Sequence, residues 1–432
     1  MISGIDVLPP GPRLSVAAQS AAWTLRPWQF MDYCAARLGD MFTLRLIGQD
    51  PWVMVSHPDV VRQVFTGPPE VLHAGEGNRI LLPVVGANSV LLLDDDAHRE
   101  QRRLLMPPFR GNHLASYAET MAAVAKAEIS RWPRGKAVRL HPLMQLLTLE
   151  IILRAVFGLG EGTRLDALRA ELVRIVIGPT ATFGQLLMVL TPERVRVPAI
   201  RRFFRGIDRL LYAEIAERRR AGHLDERSDV LSMLLQAHHV DGRPLSDVEI
   251  RDELITVLTA GHETTAAALA WAVERLVRDP AHQARLTDEV RSGEHEFVDA
   301  TVKETLRLRP VVSLVARQLT MPFEVGGVRL PAGVIVVPSI YLMHRRPDIY
   351  PDPECFRPER FLDERAGTYT WIPFGGGVRR CLGAAFAEYE MRIVLSALFD
   401  SCTPRAADDR PEASRRRAIT QIPARGATVV LE

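Results

Sequence analysis

The residues with the most chemical content lie near the C-terminus. Phe374-Gly375-Gly376-Gly377-Val378-Arg379-Arg380-Cys381-Leu382-Gly383 sets one cysteine after three glycines and just ahead of an apolar helical run. Glycines permit the tight, positive-φ turn that residues with a Cβ resist. A thiolate at the start of a helix, among backbone N–H donors, is expected to have a lowered pKa and to be a good metal ligand. Cysteine thiolate is one of the few axial ligands of haem iron, where it favours O–O cleavage. Arg379, two residues earlier, carries the charge to meet a haem carboxylate. A buried structural cysteine in a glycine turn is the competing reading; Phe374, Arg379 and Gly383 at fixed offsets outweigh it.

Three further groups could act with that loop. Ala260-Gly261-His262-Glu263-Thr264-Thr265 puts an acid beside an alcohol in an otherwise uncharged stretch. Gly261 weakens helix propensity, so the backbone ladder is expected to open there. Asp94-Asp95-Asp96 is a good helix start, after which His98 and Arg102 lie four apart on one face. Glu304 and Arg307 stand one helical turn apart, which alone is an ordinary surface pair worth a few tenths of a kcal/mol.

These groups need elements to hold them. Ser246-Asp247-Val248-Glu249 reads as a capping box, and no proline follows until Pro280. The interval predicts a helix of roughly 32 residues, about 48 Å long at 1.5 Å per residue, with Glu263 as the charge in its middle. Met41–Ile47 and Pro51–Ser56, separated by Gly48-Gln49-Asp50, read as a hairpin. Pro58 to Leu308 is mostly helical text, Val325 to Pro338 returns to strand signals, and Ala427 to Leu431 ends the chain as a strand. The fold class is therefore mostly α with a small β subdomain. Residues 1–432 are expected to form a single domain, with 1–15 an extended Pro-rich arm.

The cysteine loop resembles the haem-binding loop of the cytochrome P450 family, Phe-x-x-Gly-x-Arg-x-Cys-x-Gly, at every defined position. The resemblance implies the cytochrome P450 fold, with the long central helix over haem b (iron protoporphyrin IX) and Cys381 as the axial ligand of the haem iron. It makes Phe374, Arg379, Gly383 and Gly261 part of the cofactor site, and it gives His98, Arg102, Arg317 and Arg379 to the haem propionates. Glu263 and Thr264 resemble the family's acid-alcohol pair, the acid relaying protons and the hydroxyl meeting bound oxygen. His262 is read as packing away from the iron and is not taken as a ligand. With Pro358-Glu359-Arg360-Phe361 downstream, Glu304, Arg307 and Arg360 resemble the family's structural Glu-Arg-Arg network. The substrate pocket would draw on residues 73–90, Val257, Ala260, Val311, Val312, Leu314 and Thr420, with Phe183 to Leu190 beside them. Those side chains are mostly apolar, so an apolar substrate of lipid, steroid, terpene or polyketide type is expected.

The resemblance implies a monooxygenase that inserts one atom of O2 into that substrate. Its electrons would come from a separate ferredoxin or flavodoxin-like donor with its reductase. A peroxide-driven peroxygenase or isomerase of the same fold, or a haem protein that only binds a ligand, are the rivals; the Glu263-Thr264 pair argues against the first two. Arg99, Arg103, Arg110, Arg380 and Arg392 could form a basic face for an acidic donor. Arg194 to Arg205 reads as the start of a core-facing amphipathic helix rather than a membrane-surface segment.

Composition sets the remaining bounds. The chain has 432 residues, 47% hydrophobic and 25% charged, with a net charge of +2. This excludes a disordered or collagen-like chain and gives no bulk charge for nucleic acid. Cys34, Cys355, Cys381 and Cys402 have no C-x-x-C spacing, which excludes a zinc ribbon and suits a reducing compartment. The uncharged run between Arg13 and Arg26 is too short to span a bilayer, and Ile175 to Pro192 is broken by Gly178-Pro179 and Gly184. A cytoplasmic monomer without a transmembrane anchor is expected.

Overall fold

The computed structural model describes residues 8–158, 162–177, 193–362 and 367–432. The elements that position the site are helices α1 (Pro58–Thr66), α2 (Asp95–Leu105), α3 (Leu140–Phe157), α4 (Glu193–Ala221), α5 (Asp247–Leu276), α6 (Glu296–Leu308) and α7 (Ala384–Ser401). The strands that matter are β1 (Met41–Leu44), β2 (Trp52–Val55), β3 (Leu72–His73), β4 (Arg317–Leu319), β5 (Ile335–Pro338), β6 (Ser414–Arg417) and β7 (Thr420–Pro423).

α5 is the long helix that the capping box announces, and both halves of the box form. The Ser246 hydroxyl accepts from Glu249 N–H, and the Glu249 carboxylate takes Ser246 N–H at 2.7 Å. Its 30 residues are buried almost all round, as expected of a helix enclosed by others rather than lying on a surface. α3 packs along it. α3 is apolar and long enough to cross a membrane, yet 78% of it is buried inside the protein, as in a core helix. α4 buries Ile200, Phe204, Ile207, Leu211 and Ile215 at helical spacing, so the segment from Arg194 does begin a core-facing helix.

The main sheet has the order β1-β2-β5-β4-β3, with β2 and β5 parallel and the other pairs antiparallel. The β1–β2 hairpin matches the sequence reading. The Pro-rich arm lies against it: Thr43 donates its N–H to Pro10 O at 3.0 Å and its hydroxyl to Pro9 O at 2.7 Å. The uncharged run after Arg13 is a helix, Val16–Leu25. β6 and β7 form a separate hairpin near the C-terminus that reaches α5, where Trp271 Nε1–H donates to Gln421 O.

Candidate active site

The cysteine loop is shaped by its contact with the end of α1. Gly377 has a φ of +65°, and a Cβ there would lie 1.9 Å from the Phe65 carbonyl oxygen. A Cβ on Gly376 would lie 2.2 Å from the Phe65 ring. Glycine is required by space at both positions, and at Gly377 also by φ. Cys381 N–H closes the loop on Phe374 O at 3.0 Å. Phe374 itself is held edge-on by Trp371, with the Arg380 guanidinium over its ring. Gly383 caps α7, where a Cβ would meet nothing within 4 Å; its backbone N–H bonds the thiol.

The expected low thiol pKa is not found. Burial raises Cys381 above the ordinary value and outweighs the Gly383 N–H, Arg380 and Arg102. Protein surrounds most of the side chain, and a bare thiolate is disfavoured there. A cation on the sulfur reverses that balance, because a coordinating thiol is deprotonated outright.

α2 turns His98 inward, and burial, then Arg379, Arg102, Arg317 and Arg99, push its imidazole down to about 3. Arg102 Nη2 donates to Arg380 O, next to Cys381, at 2.7 Å. Arg317 on β4 and Arg379 are buried or nearly so, and burial pushes both down to about 10. Arg379 donates to Val90 O and Leu93 O and pairs with Asp94. Asp94 is the carboxylate that faces both Arg317 and Arg379. Buried cations with so little matching anion are costly, and the cluster fits a group that brings two more carboxylates, as haem does.

Asp94 itself departs from the sequence reading. It stands at the start of α2 without capping it. Its carboxylate accepts instead from Gly75 and Glu76 N–H at 2.9 and 3.1 Å, and His73 lies 3.6 Å away.

α5 passes the site unbroken at Gly261, so the expected opening of its ladder is not seen. The glycine instead permits close packing: a Cβ there would stand 3.1 Å from Ile152 Cδ1 on α3. Thr264 donates its hydroxyl to Ala260 O at 2.6 Å and Thr265 to Gly261 O at 3.0 Å. Glu263 points into a buried polar cluster, where it accepts from Gln145 and, at 3.2 Å, from Arg417 on β6. His141 Nε2 is 3.7 Å away. Burial raises the Glu263 carboxyl, with Arg417 and Gln145 opposing. His262 is buried against α3, its Nδ1 2.8 Å from Leu258 O and its pKa pushed down to about 4 by burial. This is the packed histidine the sequence reading expected.

A second acid went unnoticed in the sequence. Glu390 on α7 is 1% exposed, and burial raises it well above the carboxylate range, opposed by the Thr265 hydroxyl. An acid with a raised folded-state pKa gives stability that is present below its unfolded value and lost as pH rises through the folded one. Glu390→Gln is therefore expected to match the wild type below the ordinary carboxylate value and to gain on it as pH rises above that value. The gain is at most about 1.4 kcal/mol per pH unit and stops once the buried carboxyl ionises. Thermal unfolding of both chains across the range checks this, and a constant difference would count against the assignment.

The predicted pocket wall is brought together in part. Val312 and Thr420 bridge across strands, Gln421 N–H donates to Val311 O at 2.7 Å, and Leu314 bridges Ser339. Val257 and Ala260 lie on α5. Phe183 to Leu190 lies outside the described residues, as does most of Ile175 to Pro192.

Glu304, Arg307 and Arg360 come together in the core, not as the surface pair that the spacing of Glu304 and Arg307 alone would suggest. Glu304 and Arg307 are both 0% exposed and doubly bonded at 2.6 and 2.8 Å. Arg307 also donates to His344 O and Pro353 O at 2.8 Å and to Cys355 O. Arg360 Nε stands 3.6 Å from Glu304, and Arg357 N–H donates to the same oxygen. His344, which the sequence did not suggest, extends this network to the cysteine loop. Its Nε2 accepts from Ile372 N–H at 2.9 Å, so its Nδ1–H donates to Arg307 O. The imidazole is pushed down to about 3, first by burial.

Of the proposed basic face, Arg103, Arg110 and Arg380 are exposed, and Arg110 and Arg380 share the surroundings of Arg102 and Cys381. Arg392 is instead paired with Asp299, and Arg99 with Asp96.

A glycine-rich cysteine loop beside a buried cluster of cations, with one long buried helix in this topology, is the arrangement of a haem-thiolate protein. The chain belongs to the cytochrome P450 family, whose model matches residues 8–427. It is 44% identical to cytochrome P450 135B1 of Mycobacterium tuberculosis, over 98% of this chain and 91% of that one. It is 42% identical to cytochrome P450 135A1 of the same organism, over 97% and 94%. Among solved structures, retinoic acid-bound cyanobacterial CYP120A1 superposes with a TM-score of 0.85 at 24% identity, covering 98% of this chain and 99% of that one. The cytochrome P450DA heme domain does so with 0.83 at 21%, covering 98% and 97%. The protein is a P450 monooxygenase with haem b as its cofactor.

Proposed function

We propose that Cys381 supplies the thiolate that holds haem iron and that His98, Arg102, Arg317 and Arg379 bind the haem carboxylates. The reaction inserts one atom of O2 into an apolar small molecule of lipid, steroid, terpene or polyketide type. The observation that carries this reading is the buried cluster of cations beside the Cys381 loop. Bound haem supplies oxygen activation and the oxidation itself; the chain supplies the ligand, the orientation and the proton. Arg102 couples two of these tasks, since it joins the helix of His98 to the carbonyl that precedes Cys381.

Thr264 is the hydroxyl on the oxygen side, and Glu263 holds the proton behind it. Burial favours the protonated acid, while Gln145 and Arg417 keep the carboxyl oriented. Thr264→Ala is expected to leave the haem spectrum intact and to lower product formation by about 10²-fold, the usual worth of positioned proton transfer. Electron consumption would continue. Simultaneous measurement of reductant used and product formed tests this, and unchanged coupling would refute the role.

The electron donor is a separate acidic ferredoxin or flavodoxin-like protein with its reductase, docking where Arg103, Arg110 and Arg380 are exposed near Cys381. The chain works as one domain and as a cytoplasmic monomer; the four free thiols accord with a reducing compartment. Titration with a library of apolar compounds, read at the Soret band, identifies the substrate class. Ligands that enter the pocket and displace water produce the spin-state shift, and polar ones do not.

A further inference from the structure

Residues 86–93 run from a short helical turn, Leu82–Val85, to α2, which carries His98 and Arg102. This loop is fastened to α5 at three successive residues. Asn88 donates its N–H and Nδ2–H to Asp252 Oδ2 at 3.1 and 2.9 Å. Thr256 Oγ1 and Ser89 Oγ are bonded at 2.7 Å. Val90 N–H donates to Glu253 Oε1 at 2.7 Å. The loop backbone presses so closely on Asp252 that a Cβ on Gly86 (φ +85°) would lie 2.1 Å from its carboxylate.

Arg379 grips the same loop from the other side through Val90 O at 3.2 Å and Leu93 O at 2.5 Å. Residue 90 thus stands between Glu253 and Arg379, its N–H turned to one and its carbonyl to the other. Asp252 in turn accepts from Arg251 Nη1 at 2.9 Å, and Arg251 binds Asp208 of α4 at 2.6 and 2.7 Å.

Two adjacent carboxyls at this depth ask for a reason. Glu253 is 0% exposed and Asp252 3%. Arg251 balances Asp252. Glu253 is pushed up to about 8, by burial first, against the Val90 N–H and Gln101, with Asp252 adding to the rise. A neutral acid keeps its bond to Val90 without burying a second charge beside Asp252. Among the described residues its Oε2 has no hydrogen-bond partner. An apolar residue would fill that space at lower cost unless the bond to the loop mattered.

We infer that Glu253 and Asp252 are positioning residues for the haem. Through loop 86–93 they fix the place of Arg379, and through Arg251 and Asp208 they tie that place to α4. The inference rests on the assignment of Arg379 to a haem carboxylate, and the test separates the two.

Holoproteins carrying Arg379→Ala, Glu253→Leu, Glu253→Gln, Asn88→Ala and the double change Arg379→Ala with Glu253→Leu are mixed with excess haem-free globin. The rate of haem transfer and the haem reduction potential are measured. Arg379→Ala is expected to release haem about tenfold faster, the effect of one charged hydrogen bond. Glu253→Leu should approach that rate and shift the potential in the same direction. Glu253→Gln, which keeps the acceptor for Val90, should stay within about twofold of the wild type, and Asn88→Ala should release haem about threefold faster. The double change should add little to Arg379→Ala, because both act through one contact.

Multiplied effects in the double change would mean that Glu253 acts only on general stability, and would overturn the inference. So would wild-type haem release in Glu253→Leu while Arg379→Ala is fast. Should Glu253→Leu not fold, wild-type release in Asn88→Ala, whose side chain is only half-buried, would overturn it instead. If Arg379→Ala itself holds haem as the wild type does, the carboxylate assignment falls, and the inference with it.

Discussion

Arg307→Ala is expected to destabilise the protein by about 3–5 kcal/mol, the cost of stranding a buried charge. The loss is not only that of the ion pair. Glu304 would keep Arg360 at 3.6 Å and the Arg357 N–H, which is less than a fully buried carboxylate needs. The carbonyls of His344, Pro353 and Cys355 would each lose a donor that reaches them from one planar fork. Arg307→Lys should rescue only part of this, because an ammonium cannot serve Glu304 and three carbonyls in that geometry. Removing both charges with Glu304→Leu and Arg307→Leu should cost less than Arg307→Ala alone, but should not reach the wild type, since the carbonyls stay unpaired. Urea unfolding of the four chains checks the order. Total stability is commonly about 5–15 kcal/mol, so the alanine variant is expected to accumulate poorly as holoprotein. A loss under about 1 kcal/mol would mean that the pair is as dispensable as a surface one.

That pair shows where the sequence was informative and where it stopped. Spacing alone puts Glu304 and Arg307 one turn apart, and their contact follows. Burial does not follow, because it depends on the chain from His344 to Arg360 folding over them. The glycines before Cys381 were legible because a positive φ is a local demand, and the capping box of α5 was legible for the same reason; the press of Phe65 on Gly376 and Gly377 was not. Arg417, Gln145, His344 and Asp252 were not. Each acts on a residue tens to more than a hundred positions away, and nothing in its own neighbourhood marks it. The thiol of Cys381 is the instructive miss. A helix N-terminus with its backbone N–H donors argues for a low pKa, but burial, which only the folded chain reveals, moves the free thiol the other way. Gly261 is similar: it weakens a helix in isolation, yet α3 presses on it from outside and α5 runs straight through.

Cys381→Ser is expected to abolish turnover and the red-shifted absorption of the reduced carbonyl complex, while leaving a folded protein. The loop does not depend on sulfur for its shape. Its closure is the backbone bond from residue 381 to Phe374 O, and its turn is set by the positive φ of Gly375 and Gly377, with Gly376 and Gly377 pressed against Phe65. His98, Arg102, Arg317 and Arg379, which we propose bind the haem carboxylates, are untouched, so haem should still enter, more weakly. What changes is the donor: a hydroxyl is a harder and weaker ligand than a thiolate and lacks the electron release that favours O–O cleavage. The spectrum of the reduced carbonyl complex reads the ligand directly, and thermal unfolding of the haem-free chains reads the fold. Retention of the thiolate-type spectrum in Cys381→Ser would assign the ligand to another residue. Cys34 and Cys402 are poor alternatives, being buried in the core, with the Cys34 thiol pushed up to about 11. Cys355 is exposed, and its carbonyl is bonded to Arg307, which places it in the structural network rather than under α5.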